Sequence, residues 1–181
     1  LNQPMPDISG IFSLFTENVS LFSQFYIINW FARNKNVLKD TDQQVKYTRN
    51  EENIHALVGI KIINTIREEC PELFDNELEE RILHEAEEAL EAESKIVDWM
   101  VNGYKEQGLN ATLLKGFIKN RIINSLEQIG FKAPFEIDNE ALEATMWFEE
   151  ELMGNNMADF FHTRPTEYSK KNQSFDEEDL F

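Results

Sequence analysis

Residues 49–55 read RNEENIH, and within that stretch Glu52 and His55 stand one helical turn apart. Positions i and i+3 share a helix face, so a carboxylate and an imidazole project side by side. The surrounding seam, Val45, Thr48, Glu52, His55, Gly59, Ile62 and Ile66, recurs in steps of three and four and is expected to face the core. A lone carboxylate buried there would cost several kcal/mol, and a divalent cation held by both side chains offsets that cost. Glu-x-x-His on one helix with a Glu on a neighbour is the recurrent di-iron or di-manganese arrangement of helical bundles. Glu17 supplies the neighbour, because it interrupts an apolar helix between Leu14 and Leu21, beside Asn18. The plain alternative is a Glu–His pair that bonds to itself or faces water. A single Glu-x-x-His is common by chance, and Glu17 is what favours metal. His84, beside Glu85, and His162, near the polar C-terminal stretch, have no comparable support.

The elements that must position these residues are helical. Segment one, about Ser9 to Asn36, is apolar on most sides and reads as a helix buried among others. Segment two starts near Thr41, a candidate cap, and ends near Cys70–Pro71. Segment three, about Asp75 to Gln107, is acidic. It is expected to turn Leu78, Ile82, Ala86, Ala89, Ile96, Trp99 and Met100 inward. Its glutamates Glu77, Glu79, Glu80, Glu87, Glu88, Glu91 and Glu93 are read as a solvated face. Segment four runs from Ala111 to Ile129 and stops at Gly130, and a shorter helix covers Asn139 to Leu152. From Arg164 the chain is polar and aperiodic. The expected architecture is all-α, a helical bundle over residues 1–163 followed by a flexible tail over 164–181.

Composition bounds the partners. The chain has 181 residues and a net charge of −17, which repels nucleic-acid phosphates and anionic lipid and suits cations or a basic groove. No apolar run reaches the roughly 18 residues of a membrane span, and the N-terminal stretch lacks the pattern of a secretory signal. A lone cysteine, Cys70, fits a reducing cytosol, and a cytoplasmic location is expected.

In order along the chain, Glu17, RNEENIHALVGIKII, DWMVNGYKEQGLN, KGFIKNRIINSLEQIGFKAPF and WFEEELMGNNMADFF resemble the C-terminal half of the class I ribonucleotide reductase small subunit. The resemblance implies a partial ferritin-like bundle with a di-metal centre, Fe foremost and Mn or mixed Mn/Fe also accepted by such donors. It implies that Glu17, Glu52 and His55 are metal ligands. Glu51 matches the acid that orients a histidine ligand and joins the radical route, where many members carry Asp. Tyr168 matches the tyrosine that relays the radical to the large subunit. Phe175 to Phe181, with Phe175, Asp179, Leu180 and Phe181 as contacts, match the peptide that docks on that subunit. The implied activity is that of ribonucleoside-diphosphate reductase, an oxidant from the metals being passed to the large subunit to make deoxyribonucleotides.

One departure is large. The family's first half carries another carboxylate, another Glu-x-x-His, the radical-bearing tyrosine or its substitute and a tryptophan near the metals, and this sequence has no counterpart of them. Either a separate N-terminal polypeptide completes the site, or two copies pack about a twofold axis. The tail motifs favour the first. Competing functions are another ferritin-like di-iron oxidase or oxygenase, which leaves DEEDLF without a purpose, and a non-enzymatic iron-storage or interaction module.

Overall fold

The computed structural model describes residues 15–160, with the side chains of residues 16, 17 and 152–160 left aside. Its described residues form helices and no strand; Glu106 and Leu109 make an isolated bridge in a loop. A π-helical turn, Thr16–Ser20, leads through Leu21 into α1, Phe22–Lys35. Then follow α2, Lys39–Glu69, a 3-10 turn Pro71–Leu73, α3, Asn76–Val101, α4, Ala111–Gln128, and α5, Asn139–Phe160.

Each boundary has a local cause. Asn36 ends α1 in the left-handed region, which asparagine tolerates. The α2 helix begins at Lys39 with Leu38 as its left-handed first cap, so Thr41 lies inside the helix and is not the cap. Asp75 accepts from Leu78 N at 2.8 Å and Asn110 accepts from Leu113 N at 2.9 Å, satisfying donors that open α3 and α4. Beyond α4, Gly130 adopts φ +80°, and Phe131 N returns to Leu126 O at 2.9 Å. The α3 helix stops at Val101, earlier than Gln107, because Asn102 and Gly103 both take positive φ. The last helix extends past Leu152 to Phe160.

The core lies where α4 meets α3, α5 and α1, and α1 packs against α2. Phe22, Tyr26, Ile82, Leu114, Ile118, Ile122, Leu126 and Phe148 are its largest apolar members with almost no exposure. Tyr26 sits among Phe117, Trp147 and Phe148 at ring separations of 5.5, 5.3 and 5.4 Å. Its hydroxyl donates to Gly108 O at 2.7 Å, and burial pushes its pKa up. Gly116 lets α5 approach: a Cβ there would meet Asp138 Oδ2 at 2.6 Å and Ala141 Cβ at 2.7 Å.

Two expected faces are corrected. On α3 the inward set is Leu78, Ile82, Ala86, Glu93, Val97 and Val101, while Trp99 is 80% exposed and Ile96 is exposed. Glu93 is therefore not on the solvated face; only 6% of it is exposed. The true seam steps from 86 through 93 to 97 and 101, and the helix accepts one buried carboxylate to keep that register. On α2 the buried positions are Val45, Arg49, Asn50, Ala56 and Ile63. Ile62 and Ile66, expected inward, are exposed, because among the described residues no element lies over that side.

Candidate metal centre

Glu52 and His55 sit mid-way along α2, on the flank between its buried and exposed sides. The Glu52 side chain is 19% exposed and that of His55 is 59% exposed, so the imidazole stands at the surface rather than in a closed seam. Glu52 Oε2 lies 3.5 Å from His55 Nδ1. Two donors each about 2.1 Å from one divalent ion stand about 3.0–3.4 Å apart at octahedral to tetrahedral angles. The pair therefore fits adjacent positions on one cation with little movement.

Glu17 belongs to the π turn, which lies against α2. Its side chain is outside the described residues. Among the described residues, no group of three or more His, Cys, Asp or Glu gathers at one point, so this geometry supplies two donors and the backbone that carries a third. Glu51 is exposed on α2. Tyr168, Phe175, Asp179, Leu180 and Phe181 lie outside the described residues, as does His162. His84 is at the surface, 3.5 Å from Glu88, as expected of a solvated residue. Cys70 is partly exposed beside Pro71.

Three features went unread in the sequence. The first is the π turn itself, a rare one-residue widening of a helix that occurs often at functional sites. The second is a pair of buried arginines. Arg49 of α2 is fully buried, donates from Nη1 to Asn29 Oδ1 at 2.8 Å and lies over Phe148 at 4.4 Å. Arg121 of α4 donates from Nη1 to Glu149 at 2.6 Å and is otherwise spent on the π turn. Burial lowers the pKa of both guanidinium groups, against the pull of nearby carboxylates. The third is Glu93, whose pKa burial raises while a hydrogen bond from Ser20 in the π turn opposes the rise. Polar residues within RNEEN or KNR look like solvated positions, and the one available signal was their fall on the same helical stripe as apolar neighbours.

Beside Glu52 and His55, α2 presents Ile54, Val58, Ile62 and Ile66 at four-residue spacing, 58%, 53%, 54% and 41% exposed. This aliphatic stripe is uncovered by any other element among the described residues. No described helix is long and apolar enough to cross a membrane.

The comparisons with known proteins bear on this geometry. The family model for ribonucleotide reductase, small chain, matches residues 8–152, which include Glu17, Glu52 and His55. The ribonucleoside-diphosphate reductase subunit beta of Chlamydia pneumoniae is 31% identical over 93% of this chain and 46% of its own length. A probable ribonucleoside-diphosphate reductase small subunit from Invertebrate iridescent virus 3 is 25% identical over 89% of this chain and 42% of its own length. The chain thus spans less than half the length of these curated relatives. The ribonucleotide reductase R2 subunit from Clostridium botulinum has the same ferritin-like helical fold, with a TM-score of 0.71 at 24% identity over 80% of this chain and 44% of that one. With a family match over most of its length, on a helical scaffold that sets a Glu-x-x-His pair beside a Glu-bearing turn, this chain belongs to the ribonucleotide reductase small-chain family.

Proposed function

We propose that this chain is part of the small subunit of class I ribonucleoside-diphosphate reductase, and that Glu17, Glu52 and His55 are its contribution to a di-metal site. The supporting observation is the 3.5 Å approach of Glu52 Oε2 to His55 Nδ1 on the helix that borders the Glu17 turn. A carboxylate-rich site with one imidazole suits Fe, or Mn where Mn is supplied. When bound, the metal pair supplies the oxidising equivalent that the large subunit uses on the ribonucleotide.

The chain's own residues divide the remaining work. Glu52 and His55 bind and neutralise charge, Glu52 from a half-buried position that favours pairing with a cation. Glu51, next to Glu52 and exposed, orients the histidine side of the site and lies on the route outward. Tyr168 relays the equivalent to the large subunit, and Phe175, Asp179, Leu180 and Phe181 dock there, apolar anchors among acidic neighbours. Residues 1–163 form the half-bundle and 164–181 the docking tail. The stripe of Ile54, Val58, Ile62 and Ile66, with exposed His55 among them, is the face that a complementing N-terminal half covers, bringing the remaining ligands.

Elemental analysis of the assembled protein tests this reading. Glu52→Ala and His55→Ala are each expected to lose stoichiometric Fe or Mn. Deleting residues 164–181 is expected to abolish nucleotide reduction with the metal retained. Unchanged metal content in both point variants, or full turnover without the tail, overturns the respective assignment.

A further inference from the structure

The π turn Thr16–Ser20 packs against α2 and is held by side chains of α4. Arg121 is buried and directs two donors to a single residue: Nε to the Asn18 carbonyl oxygen at 2.7 Å and Nη2 to Asn18 Oδ1 at 2.7 Å. Asn18 Nδ2 in turn donates to Ser125 Oγ at 2.7 Å, and Ser125 donates to Arg121 O at 2.9 Å. The guanidinium lies 3.5 Å from the centre of the Phe22 ring, and its Nη1 is anchored by Glu149 at 2.6 Å. On the α3 side, buried Glu93 lies beside Ser20 of the π turn, whose hydroxyl favours the carboxylate form against the effect of burial. Asn18, the residue after Glu17, therefore has its carbonyl, its amide oxygen and its amide nitrogen all committed to one neighbouring helix.

We infer that Arg121, acting with Asn18 and Ser125, is a positioning residue for Glu17: it locks the π turn so that Glu17 meets the Glu52–His55 pair. The inference rests on the metal-ligand reading proposed above. Three physical points carry it. A π turn is rare and occurs mostly as a single turn within a helix, often at a functional site. A buried guanidinium is a poor means of adding stability, since a well-packed apolar side chain of similar volume often does as well or better. Its use is geometric, because only a planar fork delivers two donors to one residue in fixed directions. Those directions converge on the residue next to Glu17 rather than spreading over the core.

The test is Mn(II) binding alone, followed by EPR titration on the full chain in its native complex, with circular dichroism and thermal melting as folding controls. Arg121→Lys and Arg121→Met are expected to weaken Mn(II) binding about ten- to a hundredfold. Both should alter the spectrum of the bound ion while helicity is retained. Ser125→Ala, which removes one acceptor from Asn18, is expected to move both readouts in the same direction by less. If Arg121→Met does not fold, Arg121→Lys and Ser125→Ala decide. Wild-type affinity and spectrum in folded Arg121 variants overturn the inference. Glu52→Ala separates the two levels: if it abolishes Mn(II) binding while the Arg121 variants bind normally, positioning fails and the metal reading stands. If Glu52→Ala binds Mn(II) as wild type does, the metal reading itself falls and the inference with it.

Discussion

The two sides of the proposed site are built by opposite means. The π turn that carries Glu17 is enclosed, with Asn18 bonded to Arg121 and Ser125 from α4 and buried Glu93 of α3 beside Ser20. The α2 face that carries His55 is open, with Ile54, Val58, Ile62 and Ile66 in solvent beside an imidazole that is 59% exposed. Both faces are helical and both carry proposed ligands, yet one has spent its polar groups internally and the other keeps its apolar area uncovered among the described residues. The difference separates what this chain stabilises alone from what it presents to another surface.

That contrast is best broken by paired substitutions. Ile122→Ala, in the enclosed region with 0% exposure, is expected to destabilise the fold by about 2–5 kcal/mol in urea unfolding. Ile62→Ala, an aliphatic truncation on the open face at 54% exposure, is expected to cost the chain itself less than about 0.5 kcal/mol. Equal losses would erase the distinction. Ile62→Asp should leave the chain's helicity intact and weaken association with the complementing half at least about tenfold, or roughly 1.4 kcal/mol, by native mass measurement. Retained association would show that the stripe is not the contact surface.

Smaller effects sharpen the picture. Asn110→Ala removes the acceptor for Leu113 N and is expected to cost about 1 kcal/mol, read as a lowered melting temperature. The smallest effect concerns Glu93, whose pKa is raised chiefly by burial. A carboxyl with a raised folded pKa contributes stability that is fully present below its unfolded value near about 4.3 and is lost as pH rises through the folded pKa. The stability of the native sequence relative to Glu93→Gln should therefore fall with rising pH across that window. A difference that is flat with pH, or opposite in sign, would contradict the burial of this carboxyl.

Much of the fold was legible because helices announce themselves through apolar spacing and caps. Asp75 opens α3 as read, α4 starts at Ala111 as read, and Gly130 closes it. The all-α, ferritin-like class followed from the absence of strand alternation and from the order of motifs. The α2 seam was legible as a periodicity but not as a burial. Spacing shows that Ile62 and Ile66 share a face, whereas whether anything covers that face depends on surfaces outside the helix. Arg49, Arg121 and Glu93 were missed for the converse reason. A charged residue on a helix is ordinarily solvated, and only tertiary neighbours such as Phe148, Asn18 and Ser20 make its burial tolerable. The π turn had no signature at all, since Glu17 keeps acceptable helical spacing to Leu14 and Leu21 whether or not the helix widens there.

The central claim is that Glu17, Glu52 and His55 share a metal ion. Anomalous scattering at the Fe and Mn edges, from crystals of the assembled protein loaded with each metal, tests it most directly. The account predicts a peak about 2.0–2.3 Å from a carboxylate oxygen of Glu52, a ring nitrogen of His55 and a carboxylate oxygen of Glu17. A peak elsewhere, or none between α2 and the π turn, would contradict it.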